Sequence, residues 1–193
     1  VAGLGLSGAF EDVDLTLHAG EILGITGLLG SGRTELALTL FGALTPDTGT
    51  ITVKGNPVHF DGVRSAIRQG IGYVPEDRLS EGLFLERSIA DNIVIAEIDS
   101  LSSRFGGIDT KKLSAEAVRW VEELRIATRN PANAANTLSG GNQQRIVLAK
   151  WLAPHPDILI LNGPTVGVDI GSKHGVHAIL RELATQGMAI IVI

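Results

Sequence analysis

A glycine-rich segment near the start of the chain has residue types that suit phosphate binding. Residues 27–34 read Gly-Leu-Leu-Gly-Ser-Gly-Arg-Thr and match the phosphate-loop pattern GxxxxGK(S/T) at every defined position except the lysine. Such a turn can direct consecutive backbone amides toward one anion, while the Thr34 hydroxyl is placed for Mg²⁺. The residues that would form this cradle are Gly27, Gly30, Ser31, Gly32, Arg33 and Thr34. The alternative interpretation is a strand-to-helix turn that holds no ligand.

The exchange of lysine for Arg33 changes the shape of the charge and keeps its sign. A planar guanidinium grips oxygens as a fork, whereas a lysine ammonium is a compact point charge. Phosphate binding is compatible with this exchange. The exchange supports stabilisation of a γ-phosphoryl group during its transfer less strongly than it supports phosphate binding.

A second candidate anion site lies at residues 138–144, which read Leu-Ser-Gly-Gly-Asn-Gln-Gln. The Ser139 hydroxyl and the amides of Gly140 and Gly141 would converge at the start of a predicted helix. The simpler alternative is that Ser139 only caps this helix, but capping does not explain why the motif follows a phosphate loop. The motif is similar to the signature of ABC-transporter ATPases. In that family the signature binds the γ-phosphate of a nucleotide held by the phosphate loop of the opposing domain.

Residues 158–169 resemble the Walker B strand and D-loop of the same family, except at two positions that carry chemistry. Asn162 stands where the family has a Mg²⁺-supporting aspartate, and Gly163 where it has the glutamate that polarises the attacking water. An amide brings no net charge to a metal shell, and glycine has no side chain to act as a base. The resemblance therefore implies a copy that hydrolyses ATP poorly or not at all. Asp169 matches the D-loop aspartate, which in the family communicates across the dimer, and it can also cap the next helix.

Residues 71–78 read Ile-Gly-Tyr-Val-Pro-Glu-Asp-Arg, and Glu76 falls where the family has its Q-loop glutamine. Glutamine both donates and accepts hydrogen bonds, but an ionised glutamate only accepts. This segment, the phosphate-loop arginine and residues 167–171 together resemble the second ATPase half of bacterial sugar importers of the ribose, galactose and xylose type. The resemblance covers nearly the whole chain. In that subfamily two ATPase domains are fused in tandem.

Apolar periodicity predicts the elements that would position these motifs. Strands are expected over 13–17, 22–26, 71–74, 157–161 and 188–193, and an antiparallel hairpin over 49–53 and 57–60. Helices are expected over 34–41, 63–68, 88–96, from 109 onward, 141–152 and 171–186, with a loop over 75–86. This alternation is α/β. The resemblance sharpens it to a P-loop NTPase fold of the ABC ATPase type, with a mixed core sheet, an antiparallel β-hairpin region and a helical subdomain.

The expected organisation is one ATP-binding domain over residues 1–193, with a helical lobe at about residues 75–150. The chain stops inside an apolar Ile-Val-Ile strand. Natural domains rarely end on such an exposed edge, which predicts a fragment cut from a longer polypeptide.

Composition narrows the class of protein further. With 44% hydrophobic and 19% charged residues among 193, the chain suits a globular domain and not a disordered one. The absence of cysteine removes disulfides, thiolate metal sites and thiol catalysis, and suits a reducing compartment. A net charge of -5 disfavours a generally basic nucleic-acid binder. Every apolar run is shorter than the ~20 residues that a bilayer helix needs.

The resemblance implies an ATP-binding domain of a sugar importer at the cytoplasmic face of the bacterial inner membrane, with ATP and Mg²⁺ as cofactors. Its implied partners are a second ATPase domain, transmembrane permease subunits and, indirectly, a periplasmic sugar-binding protein. The alternative is a catalytically inactive module that senses nucleotide or only supports assembly. A soluble family member of translation or DNA repair would need long coiled-coil insertions, and the sequence has none.

Overall fold

The computed structural model describes residues 1–98 and 109–193. The described chain forms two compact units. The first comprises Val1–Tyr73, Pro156–Asn162 and Glu182–Ile193, and the second comprises Val74–His155 and Gly163–Arg181.

Two four-stranded sheets organise the first unit. One has the order β2-β1-β4-β5, with antiparallel pairing, and the other has the order β3-β8-β7-β6, in which β3 and β7 both run parallel to β8. The strands are β1 (Ala2–Leu6), β2 (Phe10–Val13), β3 (Ile22–Gly24), β4 (Thr48–Val53), β5 (Asn56–Val58), β6 (Ile71–Val74), β7 (Ile158–Leu161) and β8 (Ala189–Val192). The expected mixture of parallel and antiparallel sheet is confirmed, as is the hairpin of β4 and β5.

Helix α1 (Arg33–Leu40) follows the phosphate loop, and α2 (Val63–Arg68) precedes β6. α1 buries Leu36, Ala37 and Leu40, while β7 buries Leu159, Ile160 and Leu161 almost completely. Phe41 stacks on Tyr73 with ring centroids 5.1 Å apart. Helix α1 and strand β7 are therefore anchored in well-packed apolar surroundings. This packing fixes the phosphate loop, which precedes α1, and Asn162, which follows β7.

The predicted strand over residues 13–17 is wrong in position. β2 ends at Val13, and the carboxylate of Asp14 accepts the Gly3 amide at 2.7 Å, so a side chain replaces the next backbone partner. Leu15 then exchanges hydrogen bonds with the Val1 main chain. β1 was not expected at all, because its sequence Ala-Gly-Leu-Gly-Leu has two glycines and a weak strand pattern.

The strand before the phosphate loop is also less buried than its continuous apolar run predicts. Ile22 in β3 is 42% exposed. β3 is the last strand in its sheet and, among the described residues, pairs only with β8. A run that reads as a central strand therefore forms an edge here.

The second unit is helical. It contains α3 (Ile89–Val94), α4 (Thr110–Glu123), α5 (Gly140–Leu152) and most of α6 (Ile170–Thr185), and short 3₁₀ turns at Ile95–Glu97 and Ala135–Thr137. These helices begin within one residue of the predicted starts, and the three with a predicted end stop within two residues of it. Ala117, Trp120 and Leu124 are buried, as the amphipathic pattern of α4 predicts, and α5 buries Ile146, Val147 and Leu148 completely.

One expected loop contains a helical turn. Residues Arg78–Gly82 form a π-helical turn within the predicted loop 75–86. Asp77 caps this turn, because its carboxylate accepts the Leu79 amide at 2.9 Å and the Ser80 hydroxyl at 2.7 Å. Side-chain capping thus orders a polar segment that has no apolar periodicity. In the described part of the chain, no helix combines the length and apolarity that a membrane crossing requires.

Candidate functional site

The phosphate loop adopts a shape that only glycine permits at its two central turns. Gly30 and Gly32 have φ values of +77° and +82°, and a Cβ on Gly32 would collide with the carbonyl oxygen of Ala9. No side chain caps the N-terminus of α1, which begins at Arg33. Leu28 and Leu29 are 84% and 97% exposed, so this loop is open to a ligand. An uncapped helix start behind an exposed glycine turn is suited to an anion.

Arg33 is turned back onto its own loop. Its Nη1 donates to the carbonyl oxygen of Gly27 at 2.7 Å. A Cβ on Gly27 would collide with the Ser31 hydroxyl, so the start and the end of the loop are in close contact. The guanidinium therefore links the end of the cradle to its start through one hydrogen bond.

Thr34 and Asn162 are brought together in the fold. Asn162 lies at the carboxyl end of β7 and is only 3% exposed. Its Nδ2 donates to the hydroxyl oxygen of Thr34 at 3.2 Å. The pair thus offers a divalent cation one neutral hydroxyl that already accepts an N–H, and no carboxylate. Among the described residues, no cluster of three acidic or histidine side chains could hold a metal ion.

Gly163 has a backbone and surroundings that favour glycine. Its φ is +56°. A Cβ at this position would lie 3.0 Å from both Cγ of Glu76 and Cγ2 of Val166. The side chain of Glu76 thus lies beside the point where the side chain of residue 163 would emerge, and it would have to shift to admit one.

The candidate signature begins α5. Ser139 occupies the N-cap position, but its hydroxyl makes no capping hydrogen bond. It accepts instead from Nδ2 of Asn142 at 3.0 Å, while Oδ1 of Asn142 accepts the Ala127 amide at 2.8 Å. Because the Ser139 oxygen is an acceptor in this pair, its own proton remains available to a ligand.

The two signature glycines lie against the loop that precedes α6. A Cβ on Gly140 would be 2.8 Å from Nη2 of Arg78 and 3.4 Å from the carbonyl oxygen of Gly167. A Cβ on Gly141 would collide with the Ser172 hydroxyl and lie 3.5 Å from Oδ2 of Asp169. Close approach of Ser172 therefore favours glycine at position 141, whereas the nearest group at Gly140 is the mobile end of the Arg78 side chain.

Asp169 caps α6. Its Oδ1 accepts the Ser172 amide at 2.9 Å and its Oδ2 accepts the Ser172 hydroxyl at 2.7 Å. The hydrogen bond from the Ser172 side chain, followed by the one from the Ser172 backbone, lowers the pKa of Asp169 below its ordinary value. The carboxylate stays ionised next to the signature glycines.

The predicted site residues thus fall into two groups. The phosphate loop, Thr34 and Asn162 belong to the first unit, and Glu76, Gly163, the signature and Asp169 belong to the second. Sequence reasoning missed Arg78, Asn142 and Ser172, which hold the second group in place. Their types and positions give no signal of this role, since each acts through a contact made only in the fold.

These features define an α/β fold of the P-loop type, the fold of ATP-binding cassettes. The ATP-binding cassette MJ0796, described in a dimeric post-hydrolysis state bound to ADP and Pi, has a similar fold, with a TM-score of 0.81 at 22% identity over 95% of this chain and 78% of that one. MJ1267, an ATP-binding cassette of an ABC transporter, gives a TM-score of 0.83 at 21% identity over 98% and 77%.

The family model described as ABC transporter matches residues 10–166, and the chain belongs to that family. The ribose import ATP-binding protein RbsA of Halalkalibacterium halodurans is 45% identical over 97% of this chain and 37% of its own length. A putative ribose/galactose/methyl galactoside import ATP-binding protein of Agrobacterium fabrum is 43% identical over 100% of this chain and 38% of its own length. The chain therefore spans a little over a third of the length of these curated relatives.

Proposed function

We propose that the chain is an ATP-binding domain of an ABC transporter that imports a sugar of the ribose, galactose or xylose type across the bacterial inner membrane. The names of its relatives support this assignment. Residues 1–193 would act as one ATP-binding domain with a helical lobe at about 75–150. It would work at the cytoplasmic face of the membrane as a peripheral component, with a second ATPase domain and transmembrane permease subunits as partners. A periplasmic sugar-binding protein would be an indirect partner.

Within this function, we propose that the domain's own nucleotide site is impaired in hydrolysis. The observation that carries this proposal is the hydrogen bond from Asn162 to Thr34. It presents an amide N–H to the hydroxyl that would coordinate Mg²⁺, so metal binding is weak. Gly163 adds no base for the attacking water. The glycine cradle and the uncapped α1 still bind the phosphates of ATP.

The signature of this domain would then serve its partner. The Ser139 hydroxyl and the amides of Gly140 and Gly141 would hold the γ-phosphate of a nucleotide bound to the opposing phosphate loop. Asp169 would lie at the same surface, since its carboxylate is close to Gly141. One domain of the pair thus supplies most of the hydrolysis, and this domain completes that site.

Single-turnover ATP hydrolysis by the assembled pair of ATPase domains tests this division. Each site is disabled separately by an alanine substitution of its phosphate-loop threonine, which is Thr34 in this chain. We expect Thr34→Ala to leave the single-turnover rate nearly unchanged, whereas the matching change in the partner abolishes it. Equal losses from the two substitutions would contradict the proposal.

The second candidate function is an inactive module that senses nucleotide or only supports assembly, and the same Asn162 and Gly163 favour it. Calorimetric titration of the chain with ATP, with and without Mg²⁺, separates the purely structural module from a domain that takes part in transport. A purely structural module shows no nucleotide binding. A domain that takes part in the transport cycle binds ATP through residues 27–34.

A further inference from the structure

The guanidinium of Arg78 binds two consecutive carbonyls of a loop far away in sequence. Nη1 donates to the carbonyl oxygen of Val166 at 2.9 Å, and Nη2 donates to that of Gly167 at 3.0 Å. Gly167, whose φ is +67°, lies between the two carbonyls and sets their relative direction. A planar fork can satisfy both acceptors at once, which the single ammonium of lysine cannot do with the same geometry.

The same guanidinium lies against the signature. A Cβ on Gly140 would be 2.8 Å from Nη2 of Arg78, so the arginine is in contact with the backbone at the first turn of α5. Its charge is next to amides that would face a phosphate. A larger residue at position 140 would push the guanidinium off the Gly167 carbonyl.

The loop that carries Asp169 is therefore held at two points. Arg78 binds it at Val166 and Gly167, and Ser172 binds it at Asp169. Ser172 in turn is in contact with Gly141. Arg78 is the first residue of the π-helical turn and lies two residues after Glu76. Asp77 caps this turn and thereby fixes the backbone position of Arg78.

We infer that Arg78 is a positioning residue, which holds the loop at residues 166–169 against Gly140 and Gly141 so that both face an opposing nucleotide in one fixed arrangement. The inference rests on the proposed function for its purpose. Its structural part is the clamp, formed by the hydrogen bonds from Arg78 to the carbonyls of Val166 and Gly167. The clamp does not depend on nucleotide. The two parts can therefore be tested separately.

Amide hydrogen exchange of the 193-residue chain tests the clamp. The informative amides are those of Val166 and Ser172, which donate to the Gly163 carbonyl and the Asp169 carboxylate. We expect Arg78→Gln to speed their exchange roughly tenfold or more, and Arg78→Lys to speed it less. Arg129→Gln is the matched control, because Arg129 is an exposed arginine of the same unit. Unchanged exchange in Arg78→Gln, or an equal change in the control, would overturn the inference.

Steady-state kinetics of the assembled pair of ATPase domains test the purpose of the clamp. Arg78→Gln should lower kcat at the partner's site roughly tenfold or more, while the Kd for ATP at this chain's own phosphate loop stays unchanged. Arg78→Lys should restore part of the kcat. A residue that merely supports folding would lower the thermal midpoint and weaken ATP binding together.

The outcomes separate the two proposals. If the wild-type pair neither binds nor hydrolyses ATP, the proposed function fails, and the exchange experiment still decides whether the clamp exists. If the wild-type pair turns over ATP and Arg78→Gln leaves kcat unchanged, the positioning role of Arg78 fails alone. A fall in kcat that Arg78→Lys does not relieve at all would overturn the positioning role, because a lysine ammonium can still donate one hydrogen bond to this loop.

Discussion

The side-chain amide of Asn162 donates to the hydroxyl oxygen of Thr34 across 3.2 Å, in a position only 3% exposed. The polarity of this bond decides what the pair can do. A carboxylate at position 162 would accept from the Thr34 hydroxyl or from metal-bound water, whereas an amide N–H competes with a cation for the same oxygen. The bond is thus good for the stability of the empty domain and poor for Mg²⁺.

The substitution Asn162→Asp should change stability and metal affinity in opposite directions. Without a cation, a buried carboxylate in place of the amide lowers the free energy of unfolding by about 1–3 kcal/mol. With Mg²⁺ and ATP, the new charge tightens metal-dependent nucleotide binding roughly tenfold, equal to about 1.4 kcal/mol. Urea unfolding and calorimetric titration, each with and without Mg²⁺, measure the two effects.

Asn130→Asp is the control for the added charge. Asn130 is exposed, and its Oδ1 accepts the Ala132 amide at 3.0 Å, a bond that an aspartate keeps. This variant should leave both measurements unchanged. An Asn162→Asp variant that binds ATP equally well with and without Mg²⁺ would show that the amide does not limit the metal site.

Restoring a side chain at position 163 should be costly. Gly163→Ala must adopt a φ of +56° and also bring a Cβ to 3.0 Å from Glu76 and Val166. Gly8→Ala is the matched control, because Gly8 has a φ of +76° with nothing within 4 Å of the built Cβ. We expect a loss of about 1–2 kcal/mol for Gly8→Ala and a somewhat larger loss for Gly163→Ala, because the exposed side chains of Glu76 and Val166 must shift to admit the Cβ. Urea unfolding measures both losses.

For the same reason, Gly163→Glu alone should not restore hydrolysis. The Glu76 side chain lies beside the Cβ of a residue at position 163, so its carboxylate would repel the new one. Combining Gly163→Glu with Asn162→Asp and Glu76→Gln removes the like charge and supplies a carboxylate to the metal position. We expect single-turnover hydrolysis to rise only in the triple variant. A gain of activity by Gly163→Glu alone would contradict the inference that Glu76 opposes a carboxylate at position 163.

The orientation of Ser139 gives a prediction that a double-mutant cycle can test. Asn142 is fixed by the Ala127 amide and donates to the Ser139 oxygen, which leaves the serine proton for a phosphate. Ser139→Ala should lower turnover at the partner's site roughly tenfold. Asn142→Ala should lower it by a similar factor in the wild type but have little further effect beside Ser139→Ala.

An additive result in this cycle would mean that Asn142 acts on something other than Ser139. Asn142→Asp provides a sharper test, because its carboxylate accepts from the Ser139 hydroxyl and reverses the hydrogen bond. It should be at least as impaired as Ser139→Ala. Thermal unfolding of each variant shows whether the loss of turnover follows from unfolding.

The parts of the fold that sequence predicts best are long and strongly apolar. β7 and β8 form where the apolar runs place them, and α5 and α6 begin one residue before the predicted starts. β1 escapes prediction because glycines interrupt it, and the extended run at 13–17 fails because the Asp14 side chain takes over a backbone partner. Local side-chain competition of this kind is not encoded in periodicity.

In the candidate site, too, sequence predicts the local motifs but not the contacts between distant residues. The motifs identify the phosphate loop, the signature and the substituted positions Asn162 and Gly163, because each is a short run of fixed spacing. The clamp at Arg78 joins residues 88 and 89 positions apart, so no local pattern can show it. The residue that holds a motif in place is determined by the packing between distant segments, and this packing is seen only in the structure.

The capping of α6 predicts a selective response to pH. Hydrogen bonds from Ser172, the side-chain hydroxyl first and the backbone amide second, lower the pKa of Asp169. A carboxyl whose folded pKa is lowered stabilises the fold at pH values above its unfolded pKa of about 3.9, and this contribution is lost as the pH falls through the lowered folded value. Ser172→Ala should move the pKa of Asp169 up toward its ordinary range and remove most of this contribution.

Carbon-detected NMR titration of the carboxyl groups measures the shift residue by residue, and Asp77 supplies an internal control. Its pKa is lowered by an equivalent pair of bonds, from the Ser80 hydroxyl first and the Leu79 amide second. Ser172→Ala should shift Asp169 and leave Asp77 in place, and Ser80→Ala should do the reverse. Stability curves of wild type and Ser172→Ala should then converge as the pH falls below about 3.9. A constant difference between the curves at all pH values would mean that Ser172 stabilises α6 without acting through the charge of Asp169.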